Sequence, residues 1–208
     1  MRIIGLIFSI ALLVLPLSAK VTWGVRAGGA YSSLVQKVDG EVHAGARFGF
    51  SIGGLMEVPV YKKLTFRPEV AFVNEGGTFY STAERYSQVS FKNKCNYFSI
   101  QVPFNFAYSF NIEDVRLAVF AGPALDFSLF GTMRTKDNTF DIQFGQTEEK
   151  DLKFFDLGVS VGLDVEYKNV FFAIHTLCGT LDRYAVKRPG ESAIFQNNVT
   201  FSLGYFFR

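Results

Sequence analysis

From Phe98 to Phe110 every second residue is large and apolar (Phe98, Ile100, Val102, Phe104, Phe106, Tyr108, Phe110), and those between are Ser99, Gln101, Pro103, Asn105, Ala107 and Ser109. A period of two puts one set on each face of a β-strand, so this segment has an apolar face and a polar one. The pattern recurs along the chain, and it restricts the fold to sheets that separate two environments. No apolar run after residue 19 approaches the roughly 20 residues that a membrane helix needs. The 49% hydrophobic content, with 24 Phe and 9 Tyr, must then be distributed over alternating strands.

Alternation predicts eight strands: about Val21 to Ser33, Ala44 to Val58, Leu64 to Asn74, Phe98 to Phe110, Val115 to Leu129, Phe155 to Glu166, Val170 to Thr180 and Asn198 to Phe207. The links alternate in length. Pro59 to Lys63, Asn111 to Asp114 and Lys168-Asn169 are short, whereas Leu34 to His43, Glu75 to Asn96, Phe130 to Asp151 and Asp182 to Ala193 are long. Short turns on one side and long loops on the other are the layout of an outer-membrane barrel. The expectation is an all-β, eight-stranded, antiparallel up-and-down transmembrane barrel with short periplasmic turns and long extracellular loops. Pro68, Pro103 and Pro123 fall inside strands, where each removes a ladder donor, and bulges are expected there.

The sides follow from size. Many polar-face positions are Gly, Ala or Ser, which fit a narrow eight-stranded interior, and aromatics such as Trp23, Tyr108, Tyr205 and Phe207 stand near strand ends, as an interfacial girdle requires. Lipid therefore lies outside. The predicted lumen receives Arg26, Arg47, Arg67 and Arg116 together with Glu57, Glu69, Asp126, Asp156, Asp164 and Glu166. Charges in a narrow interior must pair to offset desolvation, so these ten residues are expected to form a salt-bridged plug. Glu57 and Arg67 lead, because the turn at Pro59 to Lys63 brings them to diagonal positions on adjacent strands.

At the N-terminus, Met1-Arg2, the apolar stretch from Ile3 to Leu17 and the small Ala19 read as a secretory signal over residues 1–19, leaving a barrel over 20–208. The net charge of +2, with both signs interspersed, offers no basic stripe for nucleic acid. Cys95 and Cys178 fall on segments that are not neighbours, and the layout favours two unpaired thiols over a bridge.

The stretches WGVRAGGAYSSL, LTFRPEVAFVNEGGTF, NYFSIQVPFNFAYSF, VFAGPAL and the closing FSLGYFF resemble the PorT-like family of outer-membrane β-barrel proteins, in order and spacing across the whole mature chain. The resemblance implies a small barrel in the outer membrane of a Gram-negative cell. Its namesake is linked to a protein secretion machinery. The chain ends Phe206-Phe207-Arg208, whereas such barrels commonly finish on an aromatic residue.

Chemistry-bearing motifs are sparse. His175 is the one inward titratable catalytic candidate, with Ser160 or Asp156 as conceivable partners, but no nucleophile motif accompanies it. His43 lacks a second ligand at metal spacing, and the Gly28-Gly29, Gly53-Gly54 and Gly76-Gly77 pairs do not open helices. No catalytic, cofactor or metal site is therefore assigned. The expected role is structural or surface-interacting, with outer-membrane lipid and lipopolysaccharide as surroundings and a surface or periplasmic protein as a partner. Phe79, Tyr80, Tyr86, Phe140, Ile142 and Phe144 are the loop contacts this reading offers. An outer-membrane lipid-modifying enzyme and a secretion accessory are the alternatives.

Overall fold

The computed structural model describes residues 21–38, 41–82, 90–136, 138–186 and 192–208. The expected signal over 1–19 and the loop residue Tyr86 lie outside them. Among the described residues nine strands follow one another: β1 (Thr22–Val38), β2 (Glu41–Tyr61), β3 (Leu64–Thr82), β4 (Ser90–Ile112), β5 (Val115–Arg134), β6 (Thr139–Asp141), β7 (Phe155–Tyr167), β8 (Val170–Gly179) and β9 (Ile194–Phe207). Each pairs antiparallel with its chain neighbour, except that the short β6 hangs on the upper end of β5 while β7 takes the next place in the ring. β1 also pairs with β9, from Trp23 opposite Phe207 to Gln36 opposite Ile194. Eight strands thus close on themselves and leave no edge.

The alternation has the sides expected of it. Trp23, Phe48, Ile52, Val70, Phe106, Leu157, Val161, Phe201 and Leu203 are exposed on the outer surface, and Arg67, Asp164, Gln101 and Ser160 are buried within. A soluble barrel would invert these sets. At one end the connections are two-residue turns, with Lys62, Glu113, Lys168 and Asn169 at positive φ. Lys168 and Asn169 are adjacent, and two successive positive φ values match the right-handed strand twist of a tight hairpin.

Two expectations need correction. The three strand-interior prolines do not throw the register: Pro68 stands opposite Phe104, Pro103 opposite Ala124 and Pro123 opposite Val159, with no register shift at any of them. In an antiparallel ladder each residue's N–H serves only one neighbour, so a missing donor leaves a gap without an extra residue. The shifts lie elsewhere: between Phe98 and Ser99 of β4, where Leu129 of β5 is the additional residue, between Pro59 and Tyr61 of β2 beside the short turn, and between Gly45 and Ser51 of the same strand. Nearby Gly76 has φ 139°, and a Cβ there would come 2.3 Å from the Cys95 carbonyl oxygen, so only glycine fits.

The second correction concerns strand length. Most of the stretch read as a long loop from Glu75 to Asn96 is the continuation of β3 and β4, paired from Glu75 opposite Tyr97 to Thr82 opposite Ser90. β4 has 23 residues, about twice the 9–11 that cross a bilayer. Above the bilayer neither face must meet hydrocarbon, so the two-fold apolar signal fades while the ladder persists.

Candidate functional site: the filled lumen

Interior side chains occupy three levels. Nearest the short turns, Arg67 lies between Glu57 (Nη2 to Oε1, 2.5 Å) and Asp164, with which it also ion-pairs. Arg116 joins Glu57 at 2.7 Å and Glu166 at 2.7 Å, and Arg208 joins Glu57 at 2.8 Å and Glu166 at 3.1 Å. Three arginines therefore face three carboxylates. Arg67, Arg116 and Arg208 also surround the Phe206 ring at 5.7, 5.4 and 5.0 Å, which gives each guanidinium a flat apolar seat. Phe206 and Phe171 pack centroid to centroid at 4.5 Å, and the wall opposite them is glycine: a Cβ on Gly204 would lie 2.2 Å from Phe171 Cζ.

Midway, Arg26 donates from Nε to Glu69 at 2.6 Å and from Nη1 to Ser202 at 3.1 Å. Its Nη1 also lies 2.7 Å from His175 Nδ1. A guanidinium can only donate, so this contact uses a lone pair of the imidazole. His175 stands opposite Gly162, whereas Ser160 faces Leu177. Neither Ser160 nor Asp156 bonds to His175, and the arrangement lacks the hydrogen-bonded nucleophile and base of a hydrolase.

The upper level is built around carboxylates. Glu75 accepts from Ser99 Oγ at 2.8 Å and from Gln101 Nε2 at 2.9 Å, and the same Gln101 nitrogen donates to Asp126 at 2.9 Å. Asp156 accepts from the backbone N–H of Leu181 at 3.1 Å. Arg183, on the connection between β8 and β9, is carried down into this region, where Nη2 donates to Ser128 at 2.6 Å and the guanidinium sits 5.8 Å from the Tyr97 ring centre. Burial works against its charge, but Tyr97, Asp126, Asp156 and Glu75 around it hold its pKa above the ordinary arginine value. Three of the ten expected plug residues make no ion pair among the described residues: Asp126 accepts from Gln101, Asp156 from the Leu181 N–H, and Arg47 is the third. It is half-buried and donates to Asn74 Oδ1 and the Glu75 carbonyl without an ion pair.

Above these polar levels the mouth is closed by an apolar cluster of Leu34, Phe79, Cys95, Tyr97, Met133, Ile142, Leu152, Tyr184 and Ile194, with Phe144 against it. Leu152 bridges Phe144 on one side and Tyr184 on the other. Arg183 N–H donates to the Ile194 carbonyl at 2.8 Å, and Lys153 N–H to the Arg183 carbonyl at 2.8 Å. The expected exposed contacts are corrected here. Phe79 and Ile142 are buried and Phe144 and Tyr80 partly so, because the loops fold inward; among the described members of that set only Phe140 is exposed. Both cysteines are free, with Cys95 inside this cluster and Cys178 exposed on β8.

Sequence reasoning missed Glu75, Arg183 and Arg208. Parity could have found Arg208: Ser202, Gly204 and Phe206 face inward, so 208 does too. Glu75 falls where alternation fades, and no periodic signal marks Arg183.

A closed ring of eight strands, apolar outside and salt-bridged within, is an outer-membrane β-barrel. Residues 16–179 match the family model described as outer membrane protein beta-barrel domain, and the chain belongs to that family. The protein accordingly resides in the cell outer membrane. It is similar to the crystal structure of Neisserial surface protein A, NspA (14% identity, TM-score 0.48, covering 88% of this chain and 96% of that one). It is likewise similar to Ail, the attachment invasion locus protein of Yersinia pestis, in complex with sucrose octasulfate (14%, 0.48, 90% and 99%). OprG of Pseudomonas aeruginosa is a third (10%, 0.48, 90% and 96%). A comparison with curated protein sequences finds no significant match.

Proposed function

We propose that this is a closed, non-enzymatic barrel of the PorT-like kind, which holds a surface for protein contact at the extracellular rim. The observation that carries the reading is the filling of the lumen from both ends. Arg67, Arg116 and Arg208 with their carboxylates occupy the periplasmic half, and the cluster around Leu152 and Tyr184 occupies the extracellular one. An eight-stranded ring leaves room for side chains and little else. The interior charges thus serve stability, and the contact surface is the rim, where Val42, Phe140 and Val186 are 69%, 44% and 40% exposed. Apolar side chains of that kind outside the bilayer suit a protein partner. The histidine geometry supports the non-enzymatic part, since His175 is committed to Arg26.

Planar-bilayer recording of the full chain, paired with phospholipid and lipid A turnover assays on wild type and His175→Ala, tests the reading. No steady conductance and no turnover by either protein are expected. A stable open channel refutes the closed lumen, and turnover lost in His175→Ala refutes the non-enzymatic assignment.

A further inference from the structure

The outer wall at the upper end of β4 and β5 differs from the rest of the ring. Four phenylalanines run across it at bilayer level, with Phe72 and Phe98 at 5.3 Å, Phe98 and Phe130 at 5.0 Å, and Phe50 at 6.1 Å from Phe98. Going up β4 the outward residues are Phe98, Asn96, Lys94 and Lys92, and going up β5 they are Phe130, Thr132 and Arg134. Register sets Phe98 opposite Phe130, Asn96 opposite Thr132 and Lys94 opposite Arg134. The wall therefore changes from aromatic to neutral polar to cationic within four residues, about 10 Å of height for a tilted strand.

Two details make this more than an ordinary rim. Like charges directly opposite on neighbouring strands repel, yet Lys94 and Arg134 face each other, and neither they nor Lys92 ion-pairs with a carboxylate among the described residues. Among the described residues the facing strands differ, since 172–178 of β8 and 195–205 of β9 contain no lysine or arginine. Below the cations lies a crevice of about 580 Å³, within the range of sites that take small molecules. The extra residue of β5 makes it, because the register shift turns Leu129 and Phe130 outward in succession. Gly131 keeps the wall thin there, where a Cβ would meet Tyr97 Cβ at 2.3 Å. Asp141, opposite Thr132, brings one negative charge to the edge against the three cations.

We infer that this crevice and the Lys92, Lys94 and Arg134 ladder form a binding site for a phosphorylated, acylated glycolipid of the outer leaflet, its phosphate between Lys94 and Arg134 and an acyl chain against Leu129 and Phe130. The phosphate would relieve the opposed like charges with charge-assisted hydrogen bonds, and the Phe98, Leu129 and Phe130 side of the crevice accepts the chain in the same vertical order in which such a lipid presents the two. A free phosphate would leave the crevice unused. The site lies outside the barrel and is independent of whether the lumen conducts.

The test is a lipid titration of the full folded chain in mild detergent, followed by native mass spectrometry. Diphosphorylated lipid A should bind about tenfold more tightly than its dephosphorylated form. The double variant Lys94→Gln/Arg134→Gln should bind both forms at the weaker level. Its side chains are exposed, so heat-modifiable gel migration should be unchanged. Leu129→Asp should weaken both forms. Equal affinity for the two lipids, an unchanged double variant, or displacement by equimolar inorganic phosphate overturns the site.

Discussion

Arg67→Met is the sharpest probe of the lumen. Its effect depends on which carboxylate it strands. Glu57 would keep Arg116 at 2.7 Å and Arg208 at 2.8 Å, but Asp164, whose side chain is 0% exposed, has Arg67 as its ion-pair partner among the described residues. Leaving a buried carboxylate unpaired costs about 3–5 kcal/mol. The methionine retains part of the packing that the guanidinium makes over Phe120 at 5.2 Å, so a loss near 4 kcal/mol, within that ~3–5 range, is expected. Adding Asp164→Asn removes the stranded charge and leaves a neutral amide short of one hydrogen bond, worth about 1 kcal/mol. The double variant should then be more stable than Arg67→Met by about 2 kcal/mol or more. Glu57→Gln is the internal comparison and should cost less than Arg67→Met, because Asp164 and Glu166 still hold all three arginines. Reversible urea unfolding in detergent reads these differences, followed through Trp23, the single tryptophan of the chain, which lies 59% exposed on the outer face. A cost below about 1 kcal/mol for Arg67→Met, or strictly additive single changes, would refute the view that the periplasmic half is one ion-pair network.

Leu152→Ala, at a fully buried position of the mouth, should loosen the cap by about 2–5 kcal/mol while the strand ladder stays intact. Limited proteolysis should then cut within 142–186 faster than in wild type, with heat-modifiable migration preserved. Gly204→Val should lower refolding yield and cost about 1–3 kcal/mol by overpacking, since its Cβ would lie 2.2 Å from Phe171 Cζ, and Phe171→Leu in the same chain should recover part of the loss.

The fold was legible wherever bilayer and lumen impose opposite demands on adjacent residues. β7 is the clearest case: Leu157, Val159, Val161, Leu163 and Val165 are exposed while Asp156, Ser160, Asp164 and Glu166 are buried, as the period of two requires. The same rule loses its force above the bilayer. There β3 and β4 continue through Phe79 and Cys95, whose burial comes from loops folded into the mouth and leaves no alternation with hydrocarbon to detect. Pro68, Pro103 and Pro123 misled because a missing donor was equated with an extra residue, and the shifts that do occur lie at Leu129, near Gly76 and at Pro59 beside the short β2–β3 turn.

For the lumen, parity supplies direction but not company. Glu57 and Arg67 could be paired from sequence because one short turn joins β2 to β3 and places them ten residues apart on neighbouring strands. Arg67 and Asp164 are 97 residues apart on β3 and β7, which are not neighbours in the ring, and they meet only because the ring closes at eight strands and is narrow enough for side chains to reach across it. A wider ring with the same alternation would point both residues inward and leave water between them. The ion pair is thus a property of strand number, which the spacing of short turns and long loops conveys, and the charges gain their structural role only once that number is fixed.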